Sequence, residues 1–459
     1  ADSTTKHYGI DGQITLIKYD INGDGIIQSG SGDKVLLYFG TGRNADVQAY
    51  YALDVTDPDS PRFMWKADSS ELPDLGQAWS TPTVARVNIG GGANQNSQKL
   101  VLVMGGGYDP VEDGYTYVTG DSVGNHIYMV DALSGQLLWS AGGNSSSSEF
   151  RSARMTHSIP SPITVLDTNG DGYADRMYVG DMAAQLWRFD ITNGNPVSSL
   201  VAGGVMASLG TKDDAVHSAA NTRRFYSAPD VAAIMLTGVP TFMSIAIGSG
   251  YRGHPLDSGT VDRLYSIRDY NPFTSLSQAA YPTAELPANL PQDSTLQDIT
   301  TAAQSVIPVN YGVKGWKLLL NTHGSGEKVL VPARTFNNDI FFTTYTPSIQ
   351  TGTDPCEGVG SGQNRSYIIS VFNGAAAIDR NHDGTMTVDE RSFDLSQGGI
   401  APQTTFLFPG DDTSGNNNGN PNPNPNRRPI VCLNGVEVLN ACTNYNSLIK
   451  TYWHEGSAQ

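Results

Sequence analysis

The sequence is poor in cysteine, in charged residues and in long hydrophobic runs. Only 3 of its 459 residues are cysteine and 16% are charged. No run of about 18 apolar residues is present, so we expect no transmembrane segment. The 8 histidines form no H-E-x-x-H motif, and no C-x-x-C pair occurs. These absences argue against a zinc enzyme.

Basic residues are also scarce relative to acidic ones. The chain has 45 acidic and 28 basic residues, which give a formal net charge of −17. A surface of this sign disfavours nucleic acid and anionic lipid, whereas it suits divalent cations and basic partners. We therefore expect no nucleic-acid partner.

Glycine and proline, in contrast, are abundant, with 50 and 25 residues. They bound a recurring unit, in which a short apolar run ends in glycine and a second run with an aromatic residue follows. Such runs are typical of buried strands. The first runs cover residues 35–39, 100–104, 176–179 and 244–247, and the second runs cover residues 51–54, 128–131, 187–190, 265–268 and 367–370.

Two of these units continue into a turn and a tryptophan. Asp131 and Gly135 frame a D-x-x-x-G turn before Trp139, and residues 54–58 lead to Trp65. Repeated hairpins with such turns are typical of the blades of a β-propeller. The sequence therefore predicts an all-β fold that is a modified propeller.

The predicted propeller has seven blades and fills residues 1–459 as a single domain. Five blades come from the detectable strand units, and residues 8–19 and 315–333 would form two degenerate blades. Residues 411–428 are rich in Asn and Pro. This composition predicts a low-complexity loop, because it offers too little apolar surface to pack.

The most informative motif lies at residues 167–175, which read D-T-N-G-D-G-Y-A-D. Oxygen-bearing side chains occupy positions 1, 3, 5 and 9, and a glycine stands at position 6, where a calcium loop turns sharply. A hard cation takes about six to eight oxygen ligands, and without it the three carboxylates would repel one another. The sequence therefore predicts a Ca²⁺ site whose ligands are Asp167, Asn169, Asp171, Asp175 and the carbonyl of Tyr173.

Two other loops share the start of this pattern. Residues 379–390 match the twelve-residue calcium-loop template, and residues 20–25 begin in the same way. The predicted ligands are Asp379, Asn381, Asp383, Thr385, Thr387 and Glu390 in the second loop, and Asp20, Asn22, Asp24, Ile26 and Asp33 in the third. The alternative is that D-x-N-x-D-G is only turn chemistry, because Asp, Asn and Gly all favour tight turns.

Several stretches carry a resemblance to a known family. They are residues 51–58, 248–256, 262–265 and 342–347, and the ending from Cys432 through Cys442 to Trp453. In this order, and over nearly the whole chain, the sequence resembles the C-terminal domain of the PilY/PilC-type proteins of type IV pili. In that family a nine-residue calcium loop sits in the propeller. Residues 167–175 match that loop position by position, with Asn169 where Asp is common.

The resemblance implies a calcium-binding propeller displayed outside a Gram-negative cell, at the pilus tip or associated with the outer membrane. It implies partners among the pilus components, such as minor pilins, and contact with a host or abiotic surface. It also implies roles in pilus biogenesis, in the balance of extension and retraction behind twitching motility, and in cell adhesion. The first residues have no signal-peptide character, so we expect a fragment, and the resemblance implies that the absent part is an N-terminal domain.

The alternative function is that of a calcium-containing, quinoprotein-like dehydrogenase. Those propellers share the turn that ends in Trp139, but their family disulfide joins adjacent cysteines, and no two cysteines are adjacent in this chain. The tryptophan turns are also too sparse for a full ring. We therefore expect no enzymatic activity, because a shared fold does not by itself carry function.

The cysteines allow one disulfide in an exported chain. Cys432 and Cys442 are close in sequence, and bridges persist in oxidising compartments, so we expect these two to pair. Closing such a short loop would stabilise the fold by roughly 2–3 kcal/mol. Cys356 is the competitor for either partner.

Overall fold

The computed structural model describes residues 8–44, 46–90, 97–114, 117, 119–213, 217–281, 290–302, 313–348, 362–408 and 430–439. These residues form 26 β-strands, one α-helix and six short 3-10 helices. The α-helix is Val197–Leu200, and the 3-10 helices are Ser29–Ser31, Pro110–Asp113, Ala219–Asn221, Gln278–Ala280, Asp293–Thr295 and Val388–Arg391. In the described part of the chain, no helix has the length and apolar character needed to cross a membrane. The all-β prediction is confirmed.

The strands assemble into sheets that follow one another along the chain, and the first three are mainly antiparallel meanders. Sheet 1 contains β1 (Ile14–Tyr19), β2 (Lys34–Gly40), β3 (Ala49–Asp54) and β4 (Arg62–Asp68). Sheet 2 contains β5 (Thr83–Ile89), β6 (Ser97–Gly105), β7 (Ile127–Asp131), β8 (Leu137–Gly142) and β9 (Phe150–Arg151). Sheet 3 contains β10 (Thr164–Leu166), β11 (Arg176–Gly180), β12 (Gln185–Ile191) and β13 (Val201–Ser208).

Three further sheets complete the described structure. Sheet 4 contains β14 (Asp230–Ile234), β15 (Phe242–Gly248), β16 (Arg263–Asp269), β17 (Gln297–Asp298) and β18 (Gly315–Leu319). Sheet 5 contains β19 (Lys328–Val329), β20 (Arg334–Phe336), β21 (Asp339–Thr346), β22 (Gln363–Ser370) and β23 (Ser392–Leu395). Sheet 6 contains β24 (Thr404–Leu407), β25 (Val431–Asn434) and β26 (Glu437–Leu439).

Each sheet shares a hydrophobic core with the next sheet along the chain. One residue can stand for each core: Trp65 for the core between sheets 1 and 2, Trp139 for sheets 2 and 3, Ile245 for sheets 3 and 4, Phe342 for sheets 4 and 5, and Phe341 for sheets 5 and 6. Consecutive sheets that face each other across a core are the arrangement of blades in a β-propeller. Among the described residues, no such core joins sheet 6 to sheet 1.

The tryptophan turn identified in the sequence joins two sheets. Trp65 of β4 reaches the turn between β7 and β8, where its indole Nε1 donates to the carbonyl oxygen of Ala132 at 3.0 Å. A Cβ on Gly135 would lie 2.7 Å from the Trp65 ring, so this turn needs glycine to receive the ring. The D-x-x-x-G turn of one sheet therefore docks the tryptophan of the preceding sheet.

The glycine that ends the second strand of a sheet has a similar packing reason. In each of the first four sheets, a Cβ on this glycine would collide with the segment that leads into the next sheet or with the first strand of that sheet. The colliding pairs are Gly40 with Ala78, Gly105 with Ile159, Gly180 with Phe225, and Gly248 with Val329. The recurring apolar run that ends in glycine is therefore a strand followed by a contact between neighbouring sheets.

Replacing one of these glycines should destabilise the protein without altering any functional group. In Gly40→Ala the added methyl would collide with the carbonyl of Ala78, and we expect a loss of about 1–3 kcal/mol, the usual cost of overpacking. Gly30→Ala is the matched control, because a Cβ at Gly30 meets nothing within 4 Å. Denaturant unfolding would compare the two variants, and equal midpoints would contradict the packing explanation.

The prediction of seven blades is not confirmed, since the described residues form six sheets. The two stretches expected to form degenerate blades instead add strands to neighbouring sheets. β1, from the 8–19 stretch, pairs with β2, while β18 pairs with β16 and β19 pairs with β21. Strand pairing is a long-range choice that a single apolar run does not reveal. The low-complexity residues 411–428 lie outside the described residues.

Candidate metal centre

The predicted main calcium loop connects β10 to β11 and turns around the carboxylate of Asp167. Its Oδ1 accepts a hydrogen bond from the amide of Gly170 at 2.6 Å, and its Oδ2 accepts from the amide of Gly172 at 2.7 Å. Both glycines have positive φ angles, 79° and 87°, which residues with a Cβ atom rarely adopt. The first predicted ligand is thus also the residue that shapes the loop.

The other predicted ligands lie on the same turn. Asn169 Oδ1 accepts from the amide of Asp171 at 2.8 Å, and Asp171 Oδ1 accepts from the amide of Tyr173 at 2.9 Å. Asp175 closes the loop, because its Oδ2 accepts from the amide of Thr168 at 2.8 Å. The sequence spacing did not indicate this closing bond.

The charges on this loop are crowded. Burial raises the pKa of Asp175, and the negative charges of Asp171 and Asp167 raise it further. A bound divalent cation would relieve this repulsion. In the described residues, however, no three His, Cys, Asp or Glu side chains are grouped closely enough to hold a metal ion. The oxygens of Asn169 and Tyr173 would therefore have to complete the donor set, which fits the oxygen-only preference of calcium.

The loop that begins at Asp20, between β1 and β2, repeats the hydrogen bonds of the main loop. Asp20 accepts from the amides of Gly23 and Gly25 at 2.8 and 2.7 Å. Asp24 Oδ1 accepts from the amide of Ile26 at 2.8 Å, and the amide of Asp24 donates to Asn22 Oδ1 at 3.0 Å. Asp33 closes the loop by accepting from the amides of Gln28 and Ile21, which lower its pKa.

The loop from Asp379, between β22 and β23, is built in the same way. Asp379 Oδ2 accepts from the amide of Gly384 at 2.8 Å, whereas its Oδ1 is buried and has no hydrogen-bond partner in the described part of the chain. Glu390 closes this loop by accepting from the amides of Thr387 and Arg380, which helps to lower its pKa. Asp383 accepts from both the amide and the hydroxyl of Thr385, and Asn381 Oδ1 accepts from the amide of Asp383.

All three loops share one backbone conformation at their fourth position. Gly23 and Gly170 have φ angles of 71° and 79° there, and His382 has 59°. The histidine therefore holds a left-handed position that glycine holds elsewhere, although the sequence shows it only as a residue between ligands. An antiparallel meander puts its first and third turns at the same end. Each loop thus lies at the end of its sheet opposite to the connection entering the next sheet.

Cys432 lies fully buried on β25 and is disulfide-bonded. The chain has two other cysteines, Cys356 and Cys442. Both lie outside the described residues, so the pairing of Cys432 with Cys442 stays a prediction.

No protein-family model matches the chain. The type IV pilus biogenesis factor PilY1 of Pseudomonas aeruginosa PAO1 is 26% identical over 361 residues, which are 71% of this chain. A PilY1 homolog of Xylella fastidiosa is 24% identical over 384 residues, or 81% of the chain. The crystal structure of the P. aeruginosa PilY1 C-terminal domain superimposes with a TM-score of 0.59 and 19% identity, covering 94% of this chain and 83% of that one. These comparisons support a domain of the PilY1 C-terminal type.

This result confirms the resemblance found in the sequence. The PilY1-type chain spans 28% and 23% of the length of these two relatives. A quinohemoprotein alcohol dehydrogenase from Comamonas testosteroni also aligns, with 11% identity and a TM-score of 0.36. That likeness is too low to support an inference about fold or activity.

The PilY1-type domain also contains a cavity that the sequence interpretation missed. It measures about 460 Å³, and the ends of sheets 1 to 5 line it. Trp79, Tyr108 and Tyr226 supply aromatic walls, and Arg43 and Arg252 supply positive charge. A repeated S-x-P motif at residues 80–82, 158–160 and 227–229 marks the segments that enter sheets 2, 3 and 4. This repeat is the signal that could have identified the residues around the cavity.

Proposed function

We propose that this chain is a calcium-binding domain of a type IV pilus biogenesis factor. The similarity to PilY1 over 361 residues carries the proposal. In this proposal the domain acts outside a Gram-negative cell, at the pilus tip or the outer membrane. Its partners are pilus components such as minor pilins, and it supports twitching motility and adhesion to host or abiotic surfaces.

The proposed calcium site uses Asp167, Asn169, Asp171, the carbonyl of Tyr173, and Asp175. A bound calcium ion would neutralise the carboxylates that crowd this loop. Asp167 already holds the amides of Gly170 and Gly172 in the turn, so the chain orients the donors before the ion arrives. The loop at Asp20 repeats these two hydrogen bonds, and the loop at Asp379 repeats the one to the glycine at position 6. Both loops are proposed as further, separate calcium sites.

We propose no catalytic activity for the domain. The relatives that match most of the chain are described as pilus biogenesis factors. The alternative quinoprotein-like dehydrogenase has a direct test, in which the purified domain is titrated with pyrroloquinoline quinone in calcium. A stoichiometric complex that oxidises alcohols or sugars would overturn the proposal of a non-enzymatic domain.

The role in pilus biogenesis can be tested in cells that express the full-length protein containing this domain. Asp171→Ala removes a central donor, so we expect less surface pilin and smaller twitching zones than with the wild-type protein. Asp57→Ala is the matched control, because Asp57 lies in an exposed turn and accepts from the amide of Asp59.

Sheared surface pilin and twitching diameter should be measured at equal protein abundance. Normal piliation with Asp171→Ala, despite loss of calcium binding in vitro, would make calcium a structural element without a regulatory role. Normal piliation in a strain lacking the whole protein would overturn the biogenesis proposal itself.

A further inference from the structure

Two buried carboxyl groups meet in the segment that joins β6 to β7. Glu112, in the 3-10 helix Pro110–Asp113, is 1% exposed, and Asp121 is 8% exposed. They lie at the end of sheet 2 that borders the cavity lined by Tyr108. They are far in sequence from the calcium loops, and the proposed function does not use them.

Each carboxyl group has one oxygen that is well bonded. Glu112 Oε2 accepts from Arg224 Nε at 2.8 Å, and Asp121 Oδ2 accepts from the amide of Ser158 at 2.6 Å. These bonds connect the segment to the connections that enter sheets 4 and 3. The carboxyl groups are therefore held in place from two directions.

The second oxygen of each group is buried and has no donor among the residues that the structure describes. Glu112 Oε1 and Asp121 Oδ1 both lack a hydrogen-bond partner, although the two side chains lie within hydrogen-bonding reach of each other. Two ionised carboxylates can only accept, so in this arrangement both would lose hydration without compensation. One proton placed between them would satisfy both oxygens.

We propose that Glu112 and Asp121 share one proton at neutral pH, and that this acid pair fastens the segment between β6 and β7 to sheets 3 and 4. The shared proton makes the wall of the cavity sensitive to pH. Tyr108, which lines the cavity, donates from its hydroxyl to Asp113 at 2.7 Å, and Arg43 pairs with Asp113 at 3.3 Å. The acid pair is therefore adjacent to groups that form the cavity wall.

The surroundings favour the protonated form. Burial is the largest cause that raises the pKa of Glu112, to about 8, and the charge of Asp121 adds to it. Burial also raises the pKa of Asp121, to about 6. The other charged or titratable groups facing the pair are Arg224, Tyr226, Tyr251 and Tyr117 beside Glu112, and Asp109, Asp181 and Lys212 beside Asp121. Arg224 opposes the shift of Glu112 by its charge and its bond, and it does not cancel it.

The sign of the pH dependence follows from the raised pKa. Below about pH 4.5, the pKa of a free glutamate, both the folded and the unfolded chain carry this proton. Between that value and about pH 8, only the folded chain holds it. The stability contributed by the pair is therefore lost as the pH rises through this window. For one proton, the folding equilibrium constant falls tenfold for each pH unit.

The first test is infrared spectroscopy of the purified wild-type domain. A protonated carboxyl group has a C=O band distinct from that of carboxylates, and we expect one such band at pH 7 that disappears by about pH 9. The band should be missing in Glu112→Gln, whose amide can bond Asp121 without a proton. Asp121→Asn provides a second variant in case the first one does not fold.

The second test is the pH slope of unfolding by denaturant from pH 5 to pH 9. In the wild-type domain we expect the folding equilibrium constant to fall tenfold per pH unit, which corresponds to one proton, and Glu112→Gln should remove this pH dependence. Glu327→Gln is the control, because Glu327 is also buried and also has one oxygen without a donor, but its other oxygen accepts from the hydroxyls of Thr344 and Tyr367. The control should weaken the fold and keep both the slope and the band. The proposal would be wrong if the wild-type domain showed no neutral-carboxyl band at pH 7. A cation bound between the two carboxylates in place of the proton would give that result.

Discussion

Calcium should raise the melting temperature of the wild-type domain, and Asp171→Ala should abolish the part of this shift that comes from the main loop. An ion that binds only the folded form stabilises it by RT ln(1 + [L]/Kd), about 2.7 kcal/mol at a hundredfold excess over Kd. In the proposed site Asp171 is a central donor, and it also accepts from the amide of Tyr173. Its loss should therefore open the proposed coordination shell and loosen the turn. Thermal unfolding with calcium and with a chelator measures the effect.

The three loops can be separated by variants at equivalent positions. Asp24→Ala and Asp383→Ala remove the corresponding donor of the other two loops, and each should leave the contribution of the main loop intact. Asp57→Ala should leave the whole calcium shift unchanged. Chelation should lower the melting temperature without unfolding the domain, since five cores between sheets hold it together. If Asp171→Ala retained full calcium binding at the main loop, the proposed site would be wrong.

Asp190→Ala should cause a large loss of stability, about 3–5 kcal/mol. Asp190 is fully buried and bonds two arginines, Arg176 at 2.8 Å and Arg188 at 2.9 Å. It also accepts from the hydroxyl of Tyr281 and the amide of Leu276. Removing it leaves buried positive charge without compensation, and it frees the segment that Tyr281 fastens to sheet 3.

An exposed ion pair provides the control for this prediction. Asp394 pairs with Arg365, and the side chain of Asp394 is 58% exposed. Solvent screens such a pair, so Asp394→Ala should cost less than about 1 kcal/mol. Denaturant unfolding at neutral pH compares the two variants. If Asp190→Ala and Asp394→Ala lowered the free energy of unfolding by similar amounts, burial would not explain the contribution of Asp190 to stability.

The candidate calcium loops were predictable because their information is local. The spacing of Asp, Asn and Gly in residues 167–175 reflects hydrogen bonds that span two to five residues, such as Asp167 with Gly172. The same applies to strands such as β6 and β11, whose apolar runs end in glycine. Even the odd position of Asp33, beyond the usual template, was identified as part of its loop, and the structure shows it accepting from Ile21.

Strand pairing and contacts between residues far apart in the chain were harder to predict from the sequence. The sequence predicts a degenerate blade at residues 315–333, yet β18 joins sheet 4 and β19 joins sheet 5. Trp65 and Gly135 were both recognised as parts of a repeat, but not as partners of each other. Pairing partners are decided by which faces bury together, and a single sequence carries little information about this.

The sequence by itself determined the all-β class, the position of the candidate calcium loops and the resemblance to the PilY1-type domain, because these depend on residue spacing and short motifs. Only the tertiary structure decided how many sheets the described residues form, and which residues share a core. It also brought Glu112 to Asp121 and Asp190 to Arg176, pairs that no motif marks. The physical reason is that burial and proximity, which give these groups their energetic weight, arise only when distant segments pack together.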